Sequence, residues 1–180
     1  IVCAALLQPA LCRLWQTGWL PRLRPAFSSM PISLKARALR LLSQREHSRA
    51  ELERKLVSHE EQAGDLALAL DELTAKGFIS EERVAASVMH RRAPRLGAAR
   101  VLQEMRFKGL SAETLAEAAG QLRATELERA RAVWQKKFGT PAPDAATRAK
   151  HARFLAARGF AADVVRRVLD APDEDLLSGF

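Results

Sequence analysis

The 180-residue sequence contains no tyrosine and no asparagine, and its only two cysteines, Cys3 and Cys12, lie within the first dozen residues. Cysteines so placed provide neither a disulfide framework nor a zinc-binding pattern, which points to a reducing compartment. The four histidines are scattered, with no pair at i, i+4, and give no metal site. Phosphate-loop, zinc-protease and nucleophile-elbow signatures are also missing. The sequence therefore predicts no catalytic residue, no cofactor and no metal, and a protein that is not an enzyme.

Acidic residues are missing from the start of the chain, where the first is Glu46. Residues 1–29 carry three arginines and three prolines, and their apolar stretch is too short to span a membrane and has no preceding base, unlike a secretory signal. We interpret residues 1–29 as a disordered leader or as sequence upstream of a native start at Met30, although an acid-free, arginine-bearing segment also fits an organelle transit peptide. Residues 30–180 are expected to form the folded, cytoplasmic domain.

The overall composition is that of a folded and helical protein. Hydrophobic residues make up 48% and charged residues 28%, with only 9 glycines and 8 prolines, which excludes disordered and collagen-like classes. Alanine, leucine, arginine and glutamate are frequent, and all four favour helix. The net charge of +8 makes a polyanion or an acidic protein surface a plausible partner.

Apolar residues recur with helical spacing from Ser33 onward, and no segment alternates as a strand would. Ser48 and Glu51 form a capping-box pattern that starts a second helix, Gly77 is placed to end a third, and Ser80 starts a fourth. Further helices are predicted at about 97–108, 111–122, 124–138, 145–158 and 161–170. The prediction is an all-α fold of about nine short helices.

Three helix junctions resemble one another: residues 45–52 (REHSRAEL), 108–115 (KGLSAETL) and 158–165 (RGFAADVV), with 76–80 (KGFIS) as a looser copy. Each has a base, a tight turn, a capping position and an apolar residue further on. The offsets of 63 and 50 residues are irregular, but they favour tandem three-helix, helix-turn-helix-like repeats in an elongated, curved arrangement. The phase of the repeat stays open, because the sequence does not say which helix begins each unit.

Bases are concentrated between residues 83 and 108, where seven of them accompany one acid, Glu104. This density predicts a positive face, with an ordinary solvated surface as the alternative. Lys136 and Lys137 form a second, smaller group. The candidate partner-binding residues are Arg83, Arg91, Arg92, Arg95, Arg100, Arg106, Lys108, Lys136 and Lys137. The aromatic residues Phe78, Phe107, Phe138, Phe154, Phe160 and Trp134 are expected to belong mainly to the core rather than to base-stacking platforms.

Three blocks of the sequence resemble the RecX family over about residues 33–170. The first is 42–56 (LSQREHSRAELERKL), and the third joins Lys137-Phe138-Gly139 to 154–160 (FLAARGF). The second combines Gly77-Phe78-Ile79, Glu82-Arg83, Arg91, Arg92, Arg95, Gly97, Arg100-Val101, Glu104-Met105 and 108–110 (KGL). Each block alone is only a capped helix turn, whereas their order and spacing together are specific. Val84, where the family usually has an aromatic residue, and Met105, where leucine is commoner, depart from the pattern conservatively.

The resemblance implies a monomeric regulator that lies in the groove of a RecA filament on single-stranded DNA. Such a protein restrains strand exchange and the co-protease activity of the filament, and it has no cofactor and no membrane partner. The alternative is a direct DNA-binding helix-turn-helix protein. The absence of asparagine, and of glutamines clustered with the bases, disfavours base reading and leaves only weak contact by shape and charge.

Overall fold

The computed structural model describes residues 32–170, so the predictions made for residues 1–29 lie outside the described part of the chain. Within 32–170 there is no strand, and nine α-helices are joined by short turns. In chain order they are α1 Leu34–Leu42, α2 Arg49–Leu56, α3 Asp65–Ala75, α4 Glu81–Arg92, α5 Ala98–Phe107, α6 Ala112–Ala124, α7 Glu126–Lys137, α8 Ala145–Ala157 and α9 Ala162–Asp170, with a short 3-10 helix at Val57–His59 after α2. The all-α prediction is confirmed.

Serine side chains cap the start of four of the nine helices. The hydroxyls of Ser33, Ser48, Ser80 and Ser111 each accept a hydrogen bond from a backbone N–H in the first turn of the helix that follows. The predicted capping box is present at Ser48, because the Glu51 carboxylate also accepts from the Ser48 backbone N–H. No helix between residues 32 and 170 combines the length and the apolar composition that a membrane-spanning helix requires.

Three hydrophobic cores divide the nine helices into consecutive groups of three, which we call module 1 (α1–α3), module 2 (α4–α6) and module 3 (α7–α9). Leu52, Leu56 and Leu70 are central to module 1. Val88, Val101 and Met105 are central to module 2, and Trp134, Leu155 and Val168 to module 3. The tandem three-helix prediction is confirmed, and the phase that the sequence left open is now fixed: each module begins at α1, α4 or α7.

This phase shows that the three similar junctions are not all equivalent. Residues 108–115 and 158–165 each join the second and third helices of a module, whereas residues 45–52 join the first and second. The first junction resembles the others because any capped turn between two helices needs the same residue types. Only the offset of 50 residues therefore relates equivalent positions.

The expectation that the aromatic residues belong to the core is wrong for Phe78 and Phe107. Trp134 and Phe160 are buried, but the side chain of Phe107 is 78% exposed and Phe78 is also exposed. In α5 the buried positions are Ala98, Val101, Leu102 and Met105, and Phe107 falls off this face of the helix.

Candidate functional site

Modules 2 and 3 meet through direct backbone contact at two glycines. The Gly97 N–H donates to the Arg158 carbonyl at 2.9 Å, and the Ala99 N–H donates to the Gly159 carbonyl at 3.3 Å. A Cβ at Gly97 would lie 2.1 Å from the Gly159 carbonyl oxygen and 2.2 Å from the Phe160 nitrogen. Gly159 itself has φ +82°, in the left-handed region. The turn between α4 and α5 therefore docks closely on the turn between α8 and α9.

Two charged side chains near the start of α7 stabilise this contact between modules 2 and 3. The Arg129 guanidinium donates to the carbonyls of Ala93, Leu96 and Leu122 at 2.9, 2.6 and 2.7 Å. The Glu126 carboxylate, only 4% exposed, accepts from the Ala98 N–H at 2.9 Å. That N–H belongs to the first turn of α5, where the helix dipole favours a negative charge. These bonds hold modules 2 and 3 in a fixed mutual position.

A cleft of about 490 Å³ lies at this junction and is surrounded by four cations. Pro94 and Arg95 line it from module 2, and Ala132, Val133, Lys136, Lys137, Phe154 and Arg158 line it from module 3. The Arg158 guanidinium lies 3.7 Å from the centroid of the Phe154 ring, a cation–π contact. Between residues 32 and 170, none of the four cations forms an ion pair with an acidic side chain. We call this site the cationic cleft.

The structure thus brings together three of the candidate residues from distant parts of the sequence, Arg95, Lys136 and Lys137. Sequence reasoning missed the fourth cation, Arg158, because it was assigned only to the end of a helix. The similarity between residues 108–115 and 158–165 could have indicated Arg158, because both segments have a base at the start of the turn.

The remaining candidate residues have different environments. Arg83 forms an ion pair with Glu46 at 3.0 Å, and Lys108, only 8% exposed, forms one with Glu51 at 2.8 Å, so both join module 2 to module 1. Arg92 pairs with Glu104 inside module 2 at 2.9 Å. Arg91, Arg100 and Arg106 are exposed and form no ion pair with an acidic side chain in the described part of the chain. We therefore leave Arg83, Arg92 and Lys108 out of the candidate site.

Lys108 belongs to a network centred on Glu51 at the contact between modules 1 and 2. Burial opposes ionisation of Glu51, but hydrogen bonds from Lys108 and Arg45 and the Ser48 backbone N–H outweigh it and lower the pKa of Glu51 to about 2. The Ser48 hydroxyl also donates to the Lys108 carbonyl at 2.5 Å. The capping residue of α2 therefore contributes to module docking as well as to helix initiation.

His47 lies beside this network with its Nδ1 atom 3.6 Å from the Glu51 carboxylate. Burial, together with the nearby charges of Arg45 and Lys55, lowers the pKa of His47 below its ordinary value of 6.5. The lowered pKa favours the neutral imidazole, whose contact with Glu51 lacks the charge of an ion pair. Within the described residues no group of three or more His, Cys, Asp or Glu side chains could hold a metal ion.

The Glu51 network predicts a specific pH dependence of stability. Because the folded state lowers the pKa of Glu51 from 4.5 to about 2, the stabilisation is complete above pH 4.5 and is lost as the pH falls towards 2. We expect the melting temperature of the wild-type protein to fall more steeply across this window than that of Glu51→Gln. Thermal melts followed by circular dichroism at several pH values measure both slopes. Parallel curves for the two proteins would contradict the role given to Glu51.

Three consecutive three-helix modules, joined by buried polar contacts and close backbone approach, define a tandem helical-repeat protein. Family models for RecX match two of the modules: the first three-helix domain matches residues 35–73, and the third matches residues 124–169. Full-length relatives extend the similarity across the intervening module. The chain belongs to the RecX family.

Curated relatives named "Regulatory protein RecX" cover most of the chain. The protein from Leptothrix cholodnii is 51% identical over 80% of this chain and 92% of its own length. The one from Ralstonia pickettii is 50% identical over 83% of this chain and 94% of its own length. The crystal structure of RecX from Lactobacillus salivarius superposes with a TM-score of 0.66 at 18% identity, covering 82% of this chain and 97% of that one, which shows the shared fold.

Proposed function

We propose that this protein regulates a RecA recombinase by binding in the groove of the RecA filament on single-stranded DNA. In this role it limits strand exchange and the co-protease activity of the filament, acting as a cytoplasmic monomer without catalysis. The observation that carries the proposal is membership of a family whose relatives are named regulatory proteins. The cations without acidic partners supply the surface that such a role needs.

The positive charges of these cations favour binding to a negatively charged filament. Each unpaired, exposed cation contributes to a positive potential that attracts a negatively charged surface and speeds its association. Among the candidate residues and those that line the cleft, the cations without an acidic partner in the described part of the chain are Arg91, Arg95, Arg100, Arg106, Lys136, Lys137 and the half-buried Arg158, which all belong to modules 2 and 3. Contacts made by Gly97 and Arg129 hold modules 2 and 3 together, so the helices that carry these cations have a fixed arrangement. Binding therefore costs little conformational entropy in these helices.

A filament assay tests this function with a charge-reversed protein. Wild-type protein is expected to slow ATP hydrolysis by RecA on single-stranded DNA. The double variant Arg95→Glu, Lys136→Glu is expected to need about tenfold more protein for the same inhibition, because two attractive charges become repulsive. We choose Lys136 as the partner substitution since Arg92 already pairs with Glu104, and its reversal would disturb module 2 itself.

The matched control is the variant Arg123→Glu, Lys150→Glu, which changes the net charge equally at exposed positions outside the cleft. It should inhibit RecA almost as well as the wild type. A wild-type protein with no effect on RecA would refute the proposed function. If the protein instead binds bare DNA, with a salt dependence that falls by about one unit for each lost phosphate contact, the direct DNA-binding alternative is favoured.

A further inference from the structure

The cationic cleft is lined by both charged and apolar residues, so a matching ligand needs charged and apolar groups. Arg95, Lys136, Lys137 and Arg158 stand around it without acidic partners in the described range. Its other lining residues are apolar: Pro94, Ala132, Val133 and Phe154. A ligand that satisfies both must carry negative charges beside an apolar group. The volume of about 490 Å³ is in the range of ligand sites, which is roughly 300–1,000 Å³.

The aromatic geometry favours a protein segment over a nucleic acid. Sequence-tolerant binding of single strands depends on aromatic ring faces on which bases stack. In this cleft the Arg158 guanidinium covers the Phe154 ring at 3.7 Å, and Phe138 packs edge-on against the same ring at 5.0 Å. The other apolar residues are aliphatic. The cleft therefore offers room for an aliphatic side chain rather than for a stacked base, and its arginine and lysine side chains can bind the carboxylates beside that side chain.

The cleft is also formed before any ligand arrives. Its two walls belong to different modules, but the Gly97–Arg158 backbone hydrogen bond and the three carbonyl contacts of Arg129 hold them together. A ligand does not have to order these walls, so more of the contact free energy appears as affinity.

We propose that the cationic cleft binds an acidic protein segment that inserts a leucine-like side chain between flanking carboxylates. The apolar side chain occupies the space beside Val133 and Ala132, and the carboxylates meet the surrounding arginine and lysine side chains. This inference deepens the proposed function, on which it rests only for the identity of the protein that supplies the segment.

Fluorescence anisotropy with the full chain and a fluorescein-labelled peptide DEDLLDE tests the site directly. Binding is expected for the wild type and for the control Arg123→Glu, Lys150→Glu. The variant Arg95→Glu, Lys136→Glu should bind about tenfold more weakly. The peptide DEDSSDE, with the same charge and no leucine, should also bind more weakly to the wild type. Circular dichroism establishes that all three proteins are equally helical.

Several results would overturn this inference. An equal loss of peptide affinity in the two double variants would mean that binding depends only on the net charge of the protein. Equal affinity for the leucine and serine peptides would remove the apolar part of the site. Tighter binding of labelled oligothymidylate, lost in Arg95→Glu, Lys136→Glu, would assign the cleft to nucleic acid.

The peptide assay contains neither RecA nor DNA, so it separates the two proposals. Peptide binding at the cleft by a protein that leaves RecA unaffected would refute the proposed function and support the acidic-segment site. Inhibition of RecA without peptide binding would refute the acidic-segment site alone.

Discussion

Gly97→Ala is expected to destabilise the protein by about 4 kcal/mol, near the upper end for a single substitution. The new Cβ would lie 2.1 Å from the Gly159 carbonyl oxygen and 2.2 Å from the Phe160 nitrogen. Both are backbone atoms, so no side-chain rotation relieves the overlap, and the Gly97–Arg158 hydrogen bond is lost as the turns separate. Thermal denaturation followed by circular dichroism should show a much lower melting temperature or a separate early transition.

Gly120→Ala is the matched control for this substitution. Gly120 lies within α6, and a Cβ there would meet no heavy atom within 4 Å. Alanine in a helix is more stable than glycine by roughly 0.5–1 kcal/mol, so this variant should melt at the wild-type temperature or slightly above it. Similar melting temperatures for Gly97→Ala and Gly120→Ala would contradict the close contact between modules 2 and 3.

Leu52→Asp is expected to unfold module 1 at a cost of about 4–5 kcal/mol. The Leu52 side chain is 0% exposed and lies in the core that α1, α2 and α3 share. Aspartate would leave part of this space empty and place a carboxylate among leucines without a hydrogen-bond donor. Urea denaturation measures the free energy of unfolding of the variant against that of the wild type.

Two further variants provide a comparison for the loss of stability in Leu52→Asp. Leu68→Asp introduces the same change on α3, where the side chain is 65% exposed, and should alter stability by less than about 0.5 kcal/mol. Ser48→Ala should fall between them at about 2 kcal/mol, because it removes both the cap of α2 and the hydrogen bond to the Lys108 carbonyl. If Leu52→Asp and Leu68→Asp lose stability equally, the assignment of Leu52 to the core is wrong.

Features determined by neighbours in the chain were predictable. The cap at Ser48, the end of α3 at Gly77 and the start of α4 at Ser80 each depend on residues within one helical turn. The nine helices follow from the same short-range rules and from apolar periodicity. The family resemblance also depends on such local blocks, which is why it was visible before the modules themselves were.

The candidate site was only partly predictable, because a base in a sequence does not reveal its partner. Arg92 and Lys108 resemble Arg95 in the sequence, but the first pairs with Glu104 and the second is buried against Glu51. Glu51 lies 57 residues from Lys108 along the chain. Ion pairs between residues so far apart form only when the modules dock, so the sequence around each residue does not predict them.

The helices, their caps and the overall positive charge were all predictable from the amino-acid sequence, because they depend on residue type and on separations of three or four residues. Tertiary structure alone decided the phase of the repeat and the exposure of Phe107. It also decided which cations remain unpaired, and it brought Arg95 together with Lys136 and Arg158 in one cleft. These features depend on module docking through glycine backbones, the buried Lys108–Glu51 ion pair and side-chain hydrogen bonds to backbone groups, whose partners lie tens of residues apart in the sequence.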